Sequence, residues 1–254
     1  MAIVLGIANQ KGGVGKTATA VNLSAYLAAL GKKVLLVDLD PQANATSGVG
    51  VDPRKVELNV YHALNERVAP PEIIRSTDLS GFYLLPAAFD LAGATVELVN
   101  MKNREFRLHD SLTKVRHEYD YIIIDCPPSL GLLTLNGLVA SDDILIPVQC
   151  EYYALEGLAQ LLASVDMIKN NLAKDINILG AVLTMYDKRN KLDREVAKEV
   201  RRNFPGYVFD AVIPRNVDIA EAPGHGKTIL QFRPDCYGAR AYKQLAEEVI
   251  KRTN

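Results

Sequence analysis

Short, almost uniformly apolar runs alternate with longer stretches of mixed polarity along the chain. Residues 3–8 read IVLGIA, 33–38 KVLLVD, 121–125 YIIID, 144–148 ILIPV, 178–184 ILGAVLT and 207–213 YVFDAVI. Phe82 to Leu85 is a weaker run of the same type. Runs this short and this rich in Ile and Val predict strands covered on both faces, the pattern of a parallel sheet. The stretches between them predict helices over 17–30, 104–118, 155–171, 192–203 and 237–251, with Gly31 as a C-cap of the first. Strand then helix, repeated, predicts a doubly wound, mostly parallel α/β sheet with helices on both faces. Residues 48–103 are the least regular and are expected to decorate that sheet. With no internal repeat and no low-complexity linker, residues 1–254 read as one domain.

Composition narrows the class. At 48% hydrophobic and 23% charged residues the chain is too apolar to be disordered. Lys+Arg number 29 against 30 Asp+Glu, so a global basic field is absent and any nucleic-acid contact must come from a local patch. Cys126, Cys150 and Cys236 are far apart and form no CxxC, which argues against a disulfide framework or a local zinc motif and fits a reduced, cytosolic compartment. No apolar stretch is long enough to predict a membrane span. The first residues enter a strand pattern at once, without the basic segment of a signal peptide.

The strongest chemical pattern is Lys11-Gly12-Gly13-Val14-Gly15-Lys16-Thr17, placed after a predicted strand and opening a predicted helix. That is the context of a phosphate-binding loop. Gly12, Gly13 and Gly15 can adopt positive φ and let backbone N–H groups form a nest at the positive end of the helix. Lys16 is placed to reach β- and γ-phosphates, and the Thr17 hydroxyl to coordinate Mg²⁺. The usual G-x-x-x-x-G-K-[ST] spacing is not met, because Gln10 stands where the first Gly belongs and Lys11 is additional.

Two acidic segments follow. Asp38 and Asp40 lie at the carboxyl end of a strand, two residues apart, with Pro41 ending it. Ligands of open α/β sheets bind at this end. A solvated Asp-Pro turn is the plain alternative. Tyr121 to Asp125 delivers a carboxylate at a strand tip, the Walker B pattern, where Asp125 can hold Mg²⁺ directly or through water.

The loop K-G-G-x-G-K-[ST] resembles the deviant Walker A motif of the ParA/MinD/nitrogenase-iron-protein class of ATPases. Residues 38–48 (DLDPQANATSG), 125–131 (DCPPSLG), 149–157 (QCEYYALEG), 213–217 (IPRNV) and 221–227 (EAPGHGK) resemble the chromosomal ParA subfamily, often called Soj. The resemblance implies an ATPase that dimerises on ATP, binds DNA without sequence preference and works with a ParB-type partner. It implies that Lys11 crosses the dimer interface to the partner's nucleotide, although a surface lysine is the plain alternative. It assigns Asp40 to the attacking water and Asp38 to the neighbourhood of Mg²⁺. It also sets Pro214, Arg215 and Asn216 beside the adenine. Two positions depart from the pattern: family members commonly carry Gly where Ala43 stands and Thr where Ala18 stands. The backbone N–H of Ala18 survives as a phosphate donor.

The same frame serves different partners, so three readings compete. Residues 187–202 carry seven basic and four acidic side chains, a local excess in a chain of net charge −1. Lys188, Arg189 and Lys191, with Arg215 in a later loop, are candidates for DNA phosphate contacts. No zinc-finger, helix-turn-helix or RNP signature points to base reading, and a solvated charged helix is the alternative. A MinD-like membrane ATPase would need a basic amphipathic tail, whereas residues 246–254 (AEEVIKRTN) are partly acidic with little apolar bulk. A nitrogenase-type reductase would need cysteines placed to share an iron–sulfur cluster, and no such pattern is present. The expectation is a cytoplasmic, nucleoid-associated partition ATPase, with the membrane-positioning ATPase as the alternative.

Overall fold

β1 (Ile3–Ile7), β2 (Val34–Asp38), β3 (Arg75–Ser76), β4 (Phe82–Leu85), β5 (Tyr121–Asp125), β6 (Asp143–Gln149), β7 (Asn177–Tyr186) and β8 (Val208–Pro214) form one sheet in the order β3-β4-β2-β5-β1-β6-β7-β8. This is a computed structural model, and it describes residues 1–151, 154–172 and 174–253. Tyr152 and Tyr153, within the 149–157 motif, lie outside the described residues. Each strand pairing is parallel except that of β3 with β4.

The uniformly apolar runs are explained by the division of each strand between two cores. Leu5, Ile7, Leu36 and Ile123 pack with Leu23 and Leu27 of helix Lys16–Ala29 and Tyr242 and Leu245 of helix Tyr237–Thr253. Val4, Val37, Ile122, Ile124 and Ile146 face the other way, onto Leu138 of helix Leu132–Ala140, Leu161 of helix Ala154–Leu172 and Val200 of helix Lys191–Asn203. Both faces of the strands are therefore dry.

Several short helices, among them Asn44–Gly48, Val60–Leu64 and Leu91–Leu98, were not predicted, and three further differences have a clear physical reason. The helix expected over 104–118 is shorter: it spans Arg107–Thr113, and a 3₁₀ turn follows at Arg116–Glu118. Val115 and Tyr119, both buried, turn inward there as the chain drops into β5. Helix Leu132–Ala140 was not legible because its sequence, LLTLNGLVA, is apolar nearly all round and has no polar face to mark the period. β3 is a two-residue exposed edge strand, too short to leave a pattern.

The topology sets the site. β1 lies between β5 and β6, and β5 also pairs with β2, in a register that brings Asp125 opposite both Ile7 and Asp38. The loop after β1 and the carboxylates ending β2 and β5 thus share one rim of the sheet.

Candidate functional site

The loop between β1 and helix Lys16–Ala29 is built from its glycines and held from outside. Gly13 and Gly15 adopt φ of 76° and 87°, in the left-handed region that disfavours a side chain. Gly12 is not in that region, and a Cβ there would meet no protein atom within 4 Å, so its bare backbone serves the space outside the loop. Asn9 ties the loop down: its Nδ2 donates to the Pro147 carbonyl at 2.7 Å and its Oδ1 accepts from the Lys11 N–H at 3.0 Å. Thr184, from β7, donates to the Val14 carbonyl at 2.8 Å. The sequence reading missed both Asn9 and Thr184.

The helix carries no acidic residue in its first turn and no side-chain cap. Its first N–H groups precede the bond from Thr19 N–H to the Gly15 carbonyl, so Thr17 and Ala18 stand where a helix has donors to spare for an anion. Lys16 is buried, and its ammonium donates to the Lys11 carbonyl at 2.9 Å. Burial holds its pKa below the usual ammonium value, against the raising influence of Asp125. The Lys11 ammonium is paired with Glu151.

Asp125 and Asp40 act on this lysine, and Asp38 lies beside Asp125. Asp125 is fully buried, and neither carboxylate oxygen has a hydrogen-bond partner among the described residues. Burial and then the charge of Asp38 push its pKa well up, while the Thr17 hydroxyl and Lys16 favour its charged form. An unpaired buried carboxylate demands an explanation. Beside a hydroxyl, it is a donor set for a hard divalent cation that completes its shell with water and phosphate oxygens. No cluster of three or more His, Cys, Asp or Glu among the described residues could hold a metal by protein alone.

Asp38 differs. Its Oδ2 accepts from the Thr46 N–H and hydroxyl, both at 2.7 Å, and its Oδ1 from the Asp40 N–H at 3.2 Å. Burial still raises its pKa. Asp38 therefore pairs in register with Asp125 but has most of its bonding spent on its own loop. Asp40 stands partly exposed at the rim, its Oδ1 accepting from the Gln42 N–H at 2.9 Å.

The remaining candidates gather elsewhere. Lys188, Arg189, Pro214, Arg215 and Asn216 line one cavity of about 600 Å³ at the ends of β7 and β8, with Tyr237 at its rim. The residues expected beside adenine and those expected on DNA thus share a wall. Arg189 is bonded through Nε and Nη2 to Asp187, whose pKa it holds down to about 2. Lys191 does not line the cavity; it begins helix Lys191–Asn203 and pairs with Glu195 at 3.6 Å.

A glycine-built loop joining the central strand to a helix, with a carboxylate at the tip of the adjacent strand, defines a P-loop ATPase. Residues 2–178 match the family described as AAA domain. The sporulation initiation inhibitor protein Soj of Bacillus subtilis is 53% identical over 98% of both chains. The chromosome-partitioning ATPase Soj of Treponema pallidum is 50% identical over 96% of this chain and 95% of its own. The crystal structure of a cobyrinic acid a,c-diamide synthase from Mycobacterium smegmatis, with bound ATP analog and magnesium, superposes with a TM-score of 0.88 at 38% identity, covering 100% of this chain and 96% of that one. The chain belongs to the ParA/Soj family of chromosome-partitioning ATPases.

Proposed function

We propose that the protein, acting as one ATPase domain over residues 1–254, binds Mg-ATP at the phosphate loop, closes into a homodimer and in that state binds DNA without sequence preference. Hydrolysis, stimulated by a ParB-type partition protein, returns it to the monomer. The observation that carries this reading is the buried Asp125 carboxylate, without a hydrogen-bond partner among the described residues, at the mouth of the glycine loop. The magnesium and ATP analog of the M. smegmatis structure support it.

In this reading the N–H groups of Gly12, Gly13, Val14, Gly15 and Ala18 receive the phosphates. Lys16 exchanges the Lys11 carbonyl for a phosphate oxygen. Thr17 and Asp125, with Asp38 behind them, hold Mg²⁺, which when bound neutralises charge on the phosphate oxygens. Asp40 orients a water that attacks the γ-phosphorus; the bond to the β-phosphate oxygen breaks, ADP takes its electron pair, and the water's proton leaves with inorganic phosphate or to solvent. Lys11 leaves Glu151 and adds positive charge at the second protomer's nucleotide. Pro214, Arg215 and Asn216 border the adenine. Lys188, Arg189 and Arg215, with Lys191 beside them, contact DNA phosphates, and dimerisation doubles the patch. The protein is then cytoplasmic and nucleoid-associated. Among the described residues no helix is long and apolar enough to cross a membrane.

The test is DNA binding by Asp40→Ala with ATP and with ADP, across a salt series, beside sizing of the same samples. Binding by an ATP-dependent dimer alone, falling steeply with salt, is the expected result. A dimer indifferent to DNA overturns the DNA step and directs the next measurement to lipid vesicles.

A further inference from the structure

The segment that carries Asp40 begins and ends on a single carboxylate. Asp38 Oδ1 takes the Asp40 N–H at 3.2 Å, and Oδ2 takes both the N–H and the hydroxyl of Thr46 at 2.7 Å. The Thr46 hydroxyl, its proton given to Asp38, accepts the Ala87 N–H at 2.9 Å, beyond the end of β4. Asp38, Thr46 and Ala87 are each 0% exposed, so water cannot replace any of these bonds. Between the two ends, the Leu39 N–H donates to the Asp125 carbonyl at 3.1 Å, and the turn itself is closed by Gln42 N–H to Asp40 Oδ1 and Ala43 N–H to the Asp40 carbonyl. Among the described residues no bond ties Asp40 itself to the sheet; its position is inherited from Asp38 and Leu39 on one side and Thr46 on the other.

We propose that Thr46 is a positioning residue for ATP hydrolysis: its hydroxyl links the β4-end backbone to Asp38 and so fixes the turn that presents Asp40. This rests on the reading of Asp40 as the water-orienting carboxylate. Thr46 touches no reacting atom. Its one hydroxyl satisfies a donor and an acceptor on two different segments, a task that serine can perform and the isosteric valine cannot.

The experiment uses the full chain as wild type, Thr46→Val, Thr46→Ser and Asp40→Ala. Mg-ATP affinity is read with N-methylanthraniloyl-ATP, the chemical step by single-turnover hydrolysis, and the turn itself by amide exchange over residues 38–47 without nucleotide. Thr46→Val is expected to slow hydrolysis about 30-fold or more, the scale of a small misplacement of a reacting group, while affinity stays within about threefold. Thr46→Ser is expected to keep hydrolysis within about threefold and to retain the exchange protection that Thr46→Val loses. A folded Thr46→Val with unchanged turnover overturns the proposal. A Thr46→Ser that slows about 30-fold overturns it too, since packing of the methyl would then be the cause, and the serine variant decides this even if Thr46→Val fails to fold. Hydrolysis by wild type and its loss in Asp40→Ala test the underlying reading separately. If Asp40→Ala turns over normally, that reading fails, and equal exchange in the serine and valine variants then sinks the clamp as well.

Discussion

The phosphate loop and the basic groove at the ends of β7 and β8 are both polar surfaces at one rim of the sheet, yet they are made differently. The loop is anchored by buried bonds, from Asn9 to the Pro147 carbonyl and from Thr184 to the Val14 carbonyl, and its lysine is only 6% exposed. The groove and its surroundings carry charges in water: the Arg189 side chain on its wall is 86% exposed and Lys191, outside it, 82%, each already paired with a neighbouring carboxylate. Dry, preorganised groups act strongly one at a time, whereas exposed charges act weakly and through their sum. Substitutions in the loop should therefore abolish an activity, and substitutions in the groove should only grade one.

The largest effect belongs to Lys16. Lys16→Ala is expected to lower Mg-ATP affinity by at least about a hundredfold, because it removes a charge-assisted donor from a site with little water to replace it. Affinity within about tenfold of wild type, measured by direct titration, would break the comparison at its stronger end.

Asp125→Asn separates stability from function within the same rim. A fully buried carboxylate whose oxygens accept no hydrogen bond among the described residues, with only the Thr17 hydroxyl and Lys16 near to favour its charge, is a cost that the nucleotide-free protein carries, so the neutral amide is expected to raise its stability by about 2 kcal/mol at pH 7.5 while removing the magnesium dependence of nucleotide binding. The sign with pH follows from the raised pKa. The folded protein binds this proton more readily than the unfolded chain, so wild-type stability falls as pH rises through the interval between the two values. The advantage of Asp125→Asn should accordingly shrink on acidification. Denaturant melts of both proteins at pH 7.5 and pH 5 check this; a gap that widens at pH 5 means another group controls it.

At the groove, Arg189→Glu reverses one exposed charge per protomer. The expected result is a DNA affinity lower by about tenfold, a salt dependence shallower by about one per protomer, and ATP-dependent dimerisation intact. Loss of dimerisation, seen by sizing, would show that the groove is structural after all and would remove the distinction from the loop.

How much of this is legible in the sequence follows the same division. β1, β2 and β5 to β8 were readable because strands dry on both faces are apolar throughout, and the loop because phosphate chemistry demands particular residues at fixed spacing. Helix Leu132–Ala140 was hidden by the same dryness, which removed its polar face. Asn9, Thr46 and Thr184 were invisible as site residues because their partners, Pro147, Ala87 and Val14, are brought near only by the tertiary fold. Arg189 was readable as a charge, but not the Asp187 pairing that partly offsets it.

The smallest effect is the most discriminating for the turn beside Asp40. Ala43 adopts a φ of 51° while fully buried. A left-handed alanine costs about 1–2 kcal/mol that glycine would not. Against this, Ala43→Gly deletes a buried methyl worth about 0.8 kcal/mol and adds about 0.4–1 kcal/mol of freedom to the unfolded chain. These nearly cancel, so Ala43→Gly is expected to change stability by less than about 1 kcal/mol. Gly13→Ala has no such balance: its φ is 76°, a Cβ there meets no protein atom within 4 Å, and strain should dominate. Denaturant melts of the two variants side by side test whether burial offsets backbone strain only where the chain is packed. An Ala43→Gly loss larger than that of Gly13→Ala would mean that the methyl of Ala43, and not its φ, governs this turn.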